Sequence, residues 1–258
     1  MRILAVMGSP RKGESYKVTR LVEEKLKSLG EVEFEYLFLK ELKLGNCIGC
    51  HLCCEKGEEK CPLKDDRDIV IEKLQRSDGI ILVSPVYSLH VTALMKNFID
   101  HLSFMWHRPR LIGKKVMALS TGGGMFKDTL GYLKTNADYW GCHFINKLGV
   151  PHLDSLKPKY REKVLRDIDN AALTFYNAVK ENTNPVPSIG ALFRFNMWKS
   201  NAIACREVLP ADYPYWKAKG WIDSEYFYKT RVGLHKKLAL KLIGFAGGLF
   251  MSRMYEGY

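Results

Sequence analysis

The 258-residue sequence has no apolar run long enough to cross a membrane; its longest, LIGFAGGLFM at 242–251, falls far short of the roughly twenty residues a spanning helix needs. The G-x-G-x-x-G dinucleotide fingerprint is missing. No internal repeat or low-complexity tract is present, and no nucleic-acid motif accompanies the net charge of +12. A Walker A loop fails at one position. In GSPRKGES, residues 8–15, Glu14 stands where a lysine would bridge the phosphates. A carboxylate there repels a triphosphate, and no strand ends in an obvious magnesium-binding aspartate, which argues against an ATPase or GTPase. The opening MRILAVMGSP lacks a basic stretch followed by an apolar core and a small-residue cleavage site, so the expectation is a chain without a secretory signal. A spaced disulfide framework is absent too. The seven cysteines are odd in number and clustered, a pattern of reducing compartments and of metal or redox chemistry, and a cytoplasmic location is expected.

What is present is an ordinary globular composition, 47% hydrophobic and 26% charged, enough to bury a real core. Apolar runs alternate with helix-period segments. Strands are predicted at 2–7, 32–39, 79–84, 114–120 and 142–150. Between them, Val18, Leu21, Val22, Leu26 and Leu29 recur at helical spacing before Gly30. Further helices are predicted from near Asp66, from about Leu89 to Trp106, after TGGG to about Tyr139, and over 157–182. Continuously apolar inner strands separated by helices indicate a parallel sheet covered on both faces. The expected fold class is α/β, a doubly wound five-stranded sheet in the order 2-1-3-4-5.

Ligands of such sheets bind beyond the carboxyl ends of the strands, where the order reverses. Three loops of unusual composition fall there. GSPRKGES offers Ser9, Arg11, Lys12 and Ser15, hydroxyls and cations suited to one terminal phosphate at a helix N-terminus; alternatively it is a polar turn capping the helix through Ser15 or Glu14. SPVYSLH, residues 84–90, combines a backbone-fixing Pro85 with the aromatic face of Tyr87. STGGGMF, residues 120–126, has three consecutive glycines that let main chain approach a flat ligand.

Residues 47–61 hold five of the seven cysteines. Cys47, Cys50 and Cys53 follow C-x2-C-x2-C, and Cys61 comes later with Pro62 behind it. Structural zinc sites usually pair two distant knuckles, whereas three cysteines in one tight turn suit corners of a [4Fe–4S] cubane. Gly45 and Gly49 ease the bend, and Cys54 is left over. Zinc and an unmetallated thiol-rich loop stay open as alternatives.

Taken together, GSPRKGES after the first strand, SPVYSLHVTALMKNFIDHL after the third and STGGG after the fourth resemble the flavodoxin-like NADPH-dependent FMN reductase family. The cysteine segment followed by Asp65 and Asp66 is similar to its iron–sulfur flavoprotein branch. The resemblance covers residues 1 to about 180. It implies a flavodoxin-like fold, bound FMN, NAD(P)H as co-substrate and a homodimer or homotetramer. Under it, Ser9, Arg11, Lys12, Ser15 and Tyr16 hold the phosphate. Pro85, Val86, Tyr87 and Ser88, with Thr121, Gly122, Gly123 and Gly124, line the isoalloxazine, and Cys47, Cys50, Cys53 and Cys61 are the metal ligands. The family's first loop more often reads Gly-Asn-Thr or Gly-Asn-Ser where this chain has Gly13-Glu14-Ser15, which leaves Glu14 without a role. The flavin performs the hydride chemistry, so no acid–base residue is named; His90 and His101 lie near the site, where a lone helix histidine is more often structural. The function implied is an oxidoreductase passing electrons from NAD(P)H to a quinone, flavin or other small acceptor. The alternative is a non-enzymatic electron carrier or redox-sensing module with a ferredoxin-like partner.

Beyond the Pro-rich NTNPVPSIG at 182–190 the pattern changes. The expected domains are 1–184, binding FMN, and a C-terminal extension, 185–258, dense in aromatics and in positive charge, with eleven Lys and Arg against five Asp and Glu. Leu234, Leu238, Leu242, Phe245 and Leu249 form one helical stripe, flanked by Lys236, Lys237, Lys241 and Arg253. That suits a membrane-surface helix, but Gly244, Gly247 and Gly248 weaken a free helix by about 1 kcal/mol each, and an arm packed on its own core or on a partner subunit is the commoner outcome.

Overall fold

Five apolar runs become the strands β1 (Arg2–Met7), β2 (Glu33–Phe38), β3 (Gly79–Pro85), β4 (Lys115–Gly122) and β5 (His143–Pro151). All neighbours are parallel, in the order β2-β1-β3-β4-β5, as the alternation of strand and helix predicts. The structure is a computed structural model that describes residues 1–236, 238 and 240. The chain divides into two compact units, residues 1–183 and 184–258.

In the first unit the inner strands are buried on both faces, which is why they read as unbroken apolar runs. Side chains alternate across the sheet. Ile3, Ala5, Met7, Ile81, Val83, Met117 and Leu119 pack with α1 (Glu14–Leu29) and α6 (Pro158–Glu181). Leu4, Val6, Ile80, Leu82, Val116 and Ala118 pack on the other side with α3 (Arg67–Arg76), α4 (Ala93–His101) and α5 (Phe126–Tyr139). The four-residue α2 (Leu52–Glu55) lies within the cysteine segment.

Helix α4 is shorter than the periodicity predicts. Leu89 and Ser88 have φ of 68° and 47°, in a turn closed by reciprocal backbone bonds between Tyr87 and His90. The helix starts only at Ala93, where the Thr92 side chain accepts a hydrogen bond from the Met95 amide. It ends at His101, and residues Ser103–Trp106 tighten into a 3-10 turn. Apolar spacing alone does not register a turn of left-handed residues, so the pattern overran the helix at both ends.

The second unit contains α7 (Ile189–Ala204), capped by Ser188, and α8 (Asp212–Ala218). Phe195 and Trp216 are fully buried. With Trp221 and Phe227 they form one cluster whose neighbouring ring centroids lie 4.7–5.8 Å apart; the aromatic density of the extension is therefore a small core of its own. Leu234 and Leu238 are exposed, and Lys236 donates to the Pro187 carbonyl at 2.7 Å. The rest of the expected stripe, Leu242, Phe245 and Leu249, with Lys237, Lys241, Arg253 and the three glycines, lies outside the described residues. No described helix is long and apolar enough to cross a membrane.

At the start of β4 a buried lysine adds a pH dependence. Lys115 donates to the carbonyls of Gly113 (3.0 Å) and Thr183 (2.9 Å) and to Nδ1 of His143 (3.3 Å). Burial first, and the Lys115 charge second, push the His143 imidazole down to about 4, against about 6.5 when free. The unfolded chain then takes up a proton that the folded chain refuses. This contribution to stability is complete above about pH 6.5 and is lost as pH falls toward about 4. Replacing His143 with Gln should flatten that acid-side loss, measured as urea midpoints of both proteins at about pH 7 and about pH 5.

Candidate functional site

Three loops meet beyond the carboxyl ends of β1, β3 and β4, and hydroxyl groups tie them together. Ser15 Oγ and Thr121 Oγ1 lie 2.6 Å apart, both buried, joining the start of α1 to the end of β4. Thr92 Oγ1 donates to the Gly8 carbonyl at 2.6 Å, and Thr92 N donates to Ser84 Oγ at 3.1 Å. Val86 N donates to the Thr121 carbonyl at 2.9 Å. Gly8 must be a glycine for packing reasons, since a Cβ there would come within 3.0 Å of Met95 Cβ and the Val83 carbonyl.

Within the first loop the expected residues take different parts. Ser9 is buried and donates to the Arg11 carbonyl at 2.7 Å, shaping the turn. Arg11 and Lys12 are exposed. Lys12 sits 4.3 Å over the Phe38 ring and 3.7 Å from Glu41. Tyr16 packs against Tyr36 and Phe38, ring centroids 5.3 and 5.9 Å away. Neither Ser15 nor Glu14 caps α1: Gly13 is the N-cap and no side chain serves the helix end. The Tyr16 amide turns back to the Gly13 carbonyl at 3.1 Å, which leaves the N–H groups of Glu14 and Ser15 without an intrahelical partner. Glu14 instead accepts the Leu153 amide at 2.9 Å, and Lys17 reaches Asp154 at 3.0 Å. Together they fasten the chain after β5 to the first turn of α1, a role the sequence did not reveal.

Opposite this loop the wall is main chain. A Cβ on Gly123 or Gly124 would meet nothing within 4 Å, and Gly124 holds φ 143°. Gly122 lies against Val86, whose Cβ is 3.4 Å from where its own would be. Pro85 is buried at the end of β3, while Tyr87, Leu89 and Met125 leave apolar surface exposed. His90 packs on Tyr132, centroids 4.6 Å apart. The arrangement is a polar, amide-rich loop beside an open, side-chain-free edge.

The cysteine segment encloses a second site. Cys47, Cys50, Cys53 and Cys61 all line one cavity of about 310 Å³, together with Ile48, Arg67, His101 and Ser103. All are free thiols. Cys54 is buried in the core on that side of the sheet. Gly49 (φ 63°) and His51 (φ 60°) make the bend. Among the described residues no three His, Cys, Asp or Glu side chains converge as ligands of a single ion. Four thiols spread around a larger volume fit a multinuclear group better than one tetrahedral zinc.

Polar contacts to its backbone hold this loop in place. Asn97 Nδ2 donates to the Gly45 carbonyl (2.8 Å), and its Oδ1 accepts the Cys47 amide (3.0 Å). One turn later on α4, His101 Nε2 lies 2.7 Å from the same Gly45 carbonyl. Asp65 Oδ2 accepts the Gly45 amide (3.0 Å), and Asp66 Oδ2 accepts that of Lys43 (2.7 Å). Arg108, 2% exposed, donates to the carbonyls of Cys53 and Cys54 and to Glu58. The neighbouring Cys54 thiol, more than any other group, holds the Cys53 thiol below the usual thiol range, with Ser103 and the Arg67 and Arg108 charges adding to it.

The sequence model of NADPH-dependent FMN reductases matches residues 1–150. An iron–sulfur flavoprotein of Archaeoglobus fulgidus is 30% identical over 226 residues, 86% of this chain and 100% of that one. The chain belongs to the NADPH-dependent FMN reductase family. Within it, the full-length relative puts it in the iron–sulfur flavoprotein branch. A second iron–sulfur flavoprotein, from Methanocaldococcus jannaschii, is 40% identical over 115 residues, 44% of this chain and 55% of that one. The crystal structure of an FMN-dependent NADH-azoreductase of Bacillus anthracis in complex with FMN shares the fold, with a TM-score of 0.53 over 69% of this chain and all of that one at 13% identity.

Sequence reasoning on this family member missed Thr92, Asn97 and the structural part played by Asp65. The signal for Thr92 was there: a threonine directly before an apolar-periodic run is an N-cap. For Asn97 there was none, because its partners are fifty residues away in sequence. Thr92→Val keeps the shape but removes the cap and leaves the Gly8 carbonyl and Met95 amide without a partner. It should destabilise the protein by about 2 kcal/mol or more, read from urea unfolding, while Thr92→Ser keeps most of the stability.

Proposed function

We propose that this protein is an FMN-dependent NAD(P)H oxidoreductase that passes electrons to a quinone, a flavin or another small acceptor, with a [4Fe–4S] cluster held in the cysteine cavity. The observation that carries the reading is the meeting of the three loops: a loop with uncapped helix N–H groups and cations lies beside a glycine edge free of side chains. Family membership supports it. The four thiols around one cavity support the cluster.

Flavin supplies the hydride chemistry when bound, and the protein's part is to bind and orient it. The Glu14 and Ser15 amides at the start of α1, with the Ser15 hydroxyl and Arg11, take the terminal phosphate, where the helix dipole favours an anion. Ser9 sets the loop's shape, Lys12 adds positive charge from its seat over Phe38, and Tyr16 braces the helix from the β2 side. Pro85–Ser88 and Thr121–Gly124 carry the ring system. Val86 and Thr121, bonded to each other through the backbone, fix the separation of these two walls. The open edge at Gly123 and Gly124 admits the nicotinamide and then the acceptor to the same face. Cys47, Cys50, Cys53 and Cys61 hold the cluster as thiolates. This cavity also favours a second reading, an electron carrier that exchanges with a ferredoxin-like partner without turning over a small acceptor. Steady-state NAD(P)H oxidation with quinones, flavins and ferredoxin as acceptors separates the two.

Arg11→Glu replaces an attractive charge with a repulsive one at the phosphate. It should weaken FMN binding by about 2–4 kcal/mol, measured by flavin fluorescence quenching, and leave riboflavin, which lacks the phosphate, nearly unaffected. Equal FMN affinity in both proteins would remove Arg11 from the site. For the cluster, anaerobically purified protein should contain iron and sulfide and absorb broadly near roughly 400 nm beyond the flavin bands. Cys50→Ser should abolish that signal with FMN still bound. Protein that carries flavin but no iron after anaerobic reconstitution would leave the segment as a thiol-rich loop.

A further inference from the structure

Arg67 stands in an environment that disfavours a cation twice over. It is the first residue of α3, at the positive end of the helix dipole, and only 6% of it is exposed. Its compensation from protein carboxylates is thin. Among the described residues its guanidinium bonds only Asp68, through Nε at 3.0 Å and Nη2 at 2.8 Å to one oxygen. The Asp68 side chain is 79% exposed, so that pair is screened by water and weak. Asp65 and Asp66 are engaged with backbone amides: Asp65 takes those of Gly45 and Arg67, and Asp66 that of Lys43.

What Arg67 faces instead is the cysteine cavity, whose wall it forms with all four thiols. It is the one lysine or arginine in that lining. The lining carboxylate Asp100 is neutralised by Lys96, whose Nζ lies 2.5 and 2.6 Å from its two oxygens. Four thiolates converging on one cavity would bring four negative charges, and each electron added there brings another. A buried cation in the wall stabilises the more negative, reduced form, one of the means by which a protein sets the potential of such a group.

We propose that Arg67 is a positioning residue for charge in this cavity: it raises the reduction potential of the iron–sulfur group held by Cys47, Cys50, Cys53 and Cys61. The assignment rests on the cluster reading above. The test is a spectroscopic redox titration of the anaerobically purified holoprotein, with iron, sulfide and FMN content measured on every sample. Arg67→Gln should lower the reduced-to-oxidised ratio at a fixed potential about tenfold, which for a one-electron couple is about 59 mV downward. Arg67→Lys, which keeps the charge, should restore most of it. Arg67→Met, which keeps the length of the side chain without its charge, should lower the potential in the same direction, and it gives a second reading if the glutamine variant fails to retain iron. An unmoved midpoint in iron-loaded Arg67→Gln, or in iron-loaded Arg67→Met where the former loses its iron, overturns the assignment and leaves the cluster standing. Wild-type protein without iron and sulfide removes the cluster reading and this assignment with it.

Discussion

The hydrogen bond from Thr92 Oγ1 to the Gly8 carbonyl is the constraint on which the sites' arrangement depends. It ties the loop after β1 to the first turn of α4, and the same hydroxyl caps that helix. Gly8 permits the close approach because any side chain there would strike Met95 and the β3 backbone. With this fixed, the Ser15–Thr121 pair can close the arc from α1 to β4. A buried hydroxyl bonded on both sides is strongly directional, and losing it would leave two backbone groups unsatisfied.

Helix α4 then carries the constraint onward. Thr92 lies at its start, and Asn97 and His101 lie on later turns, where both grip Gly45 at the mouth of the cysteine segment. One nine-residue helix thus anchors the loop proposed to bind phosphate and the loop that forms the thiol cavity. Farther along the cysteine segment the hold comes from Arg108, whose buried guanidinium gathers the carbonyls of Cys53 and Cys54 and the Glu58 carboxylate. The cysteine loop has little hydrophobic core of its own. Cys47 and Cys50 are exposed, and polar bonds to its backbone substitute for apolar packing.

Much of this was legible in the chain. The strand order followed from apolar runs separated by helix-period segments, since a parallel sheet covered on both faces needs unbroken hydrophobic strands and leaves few topologies. The set Cys47, Cys50, Cys53 and Cys61, with Cys54 set aside, followed from spacing and reappears as the lining of one cavity. Helix ends were read less well. Ser88 and Leu89 adopt left-handed backbone in a turn whose sequence carries no glycine, so apolar periodicity ran through it. Lys12 was read from its charge and Tyr16 from the family resemblance, and the aromatic surface of β2, Phe38 above all, draws both toward itself.

The sequence by itself determined the layered α/β architecture, the loops at the sheet's carboxyl edge and the four thiols, because each is written in local periodicity, turn composition or spacing. Tertiary structure alone decided what Glu14, Asn97, Asp65 and Arg67 do. Glu14 takes an amide 139 residues away, Asn97 one 50 residues away and Asp65 one 20 residues away, distances over which no local pattern can speak. Arg67 reads in the sequence as an ordinary charged residue opening a helix; its burial in the wall of a thiol cavity exists only once α3 and the cysteine loop are packed together.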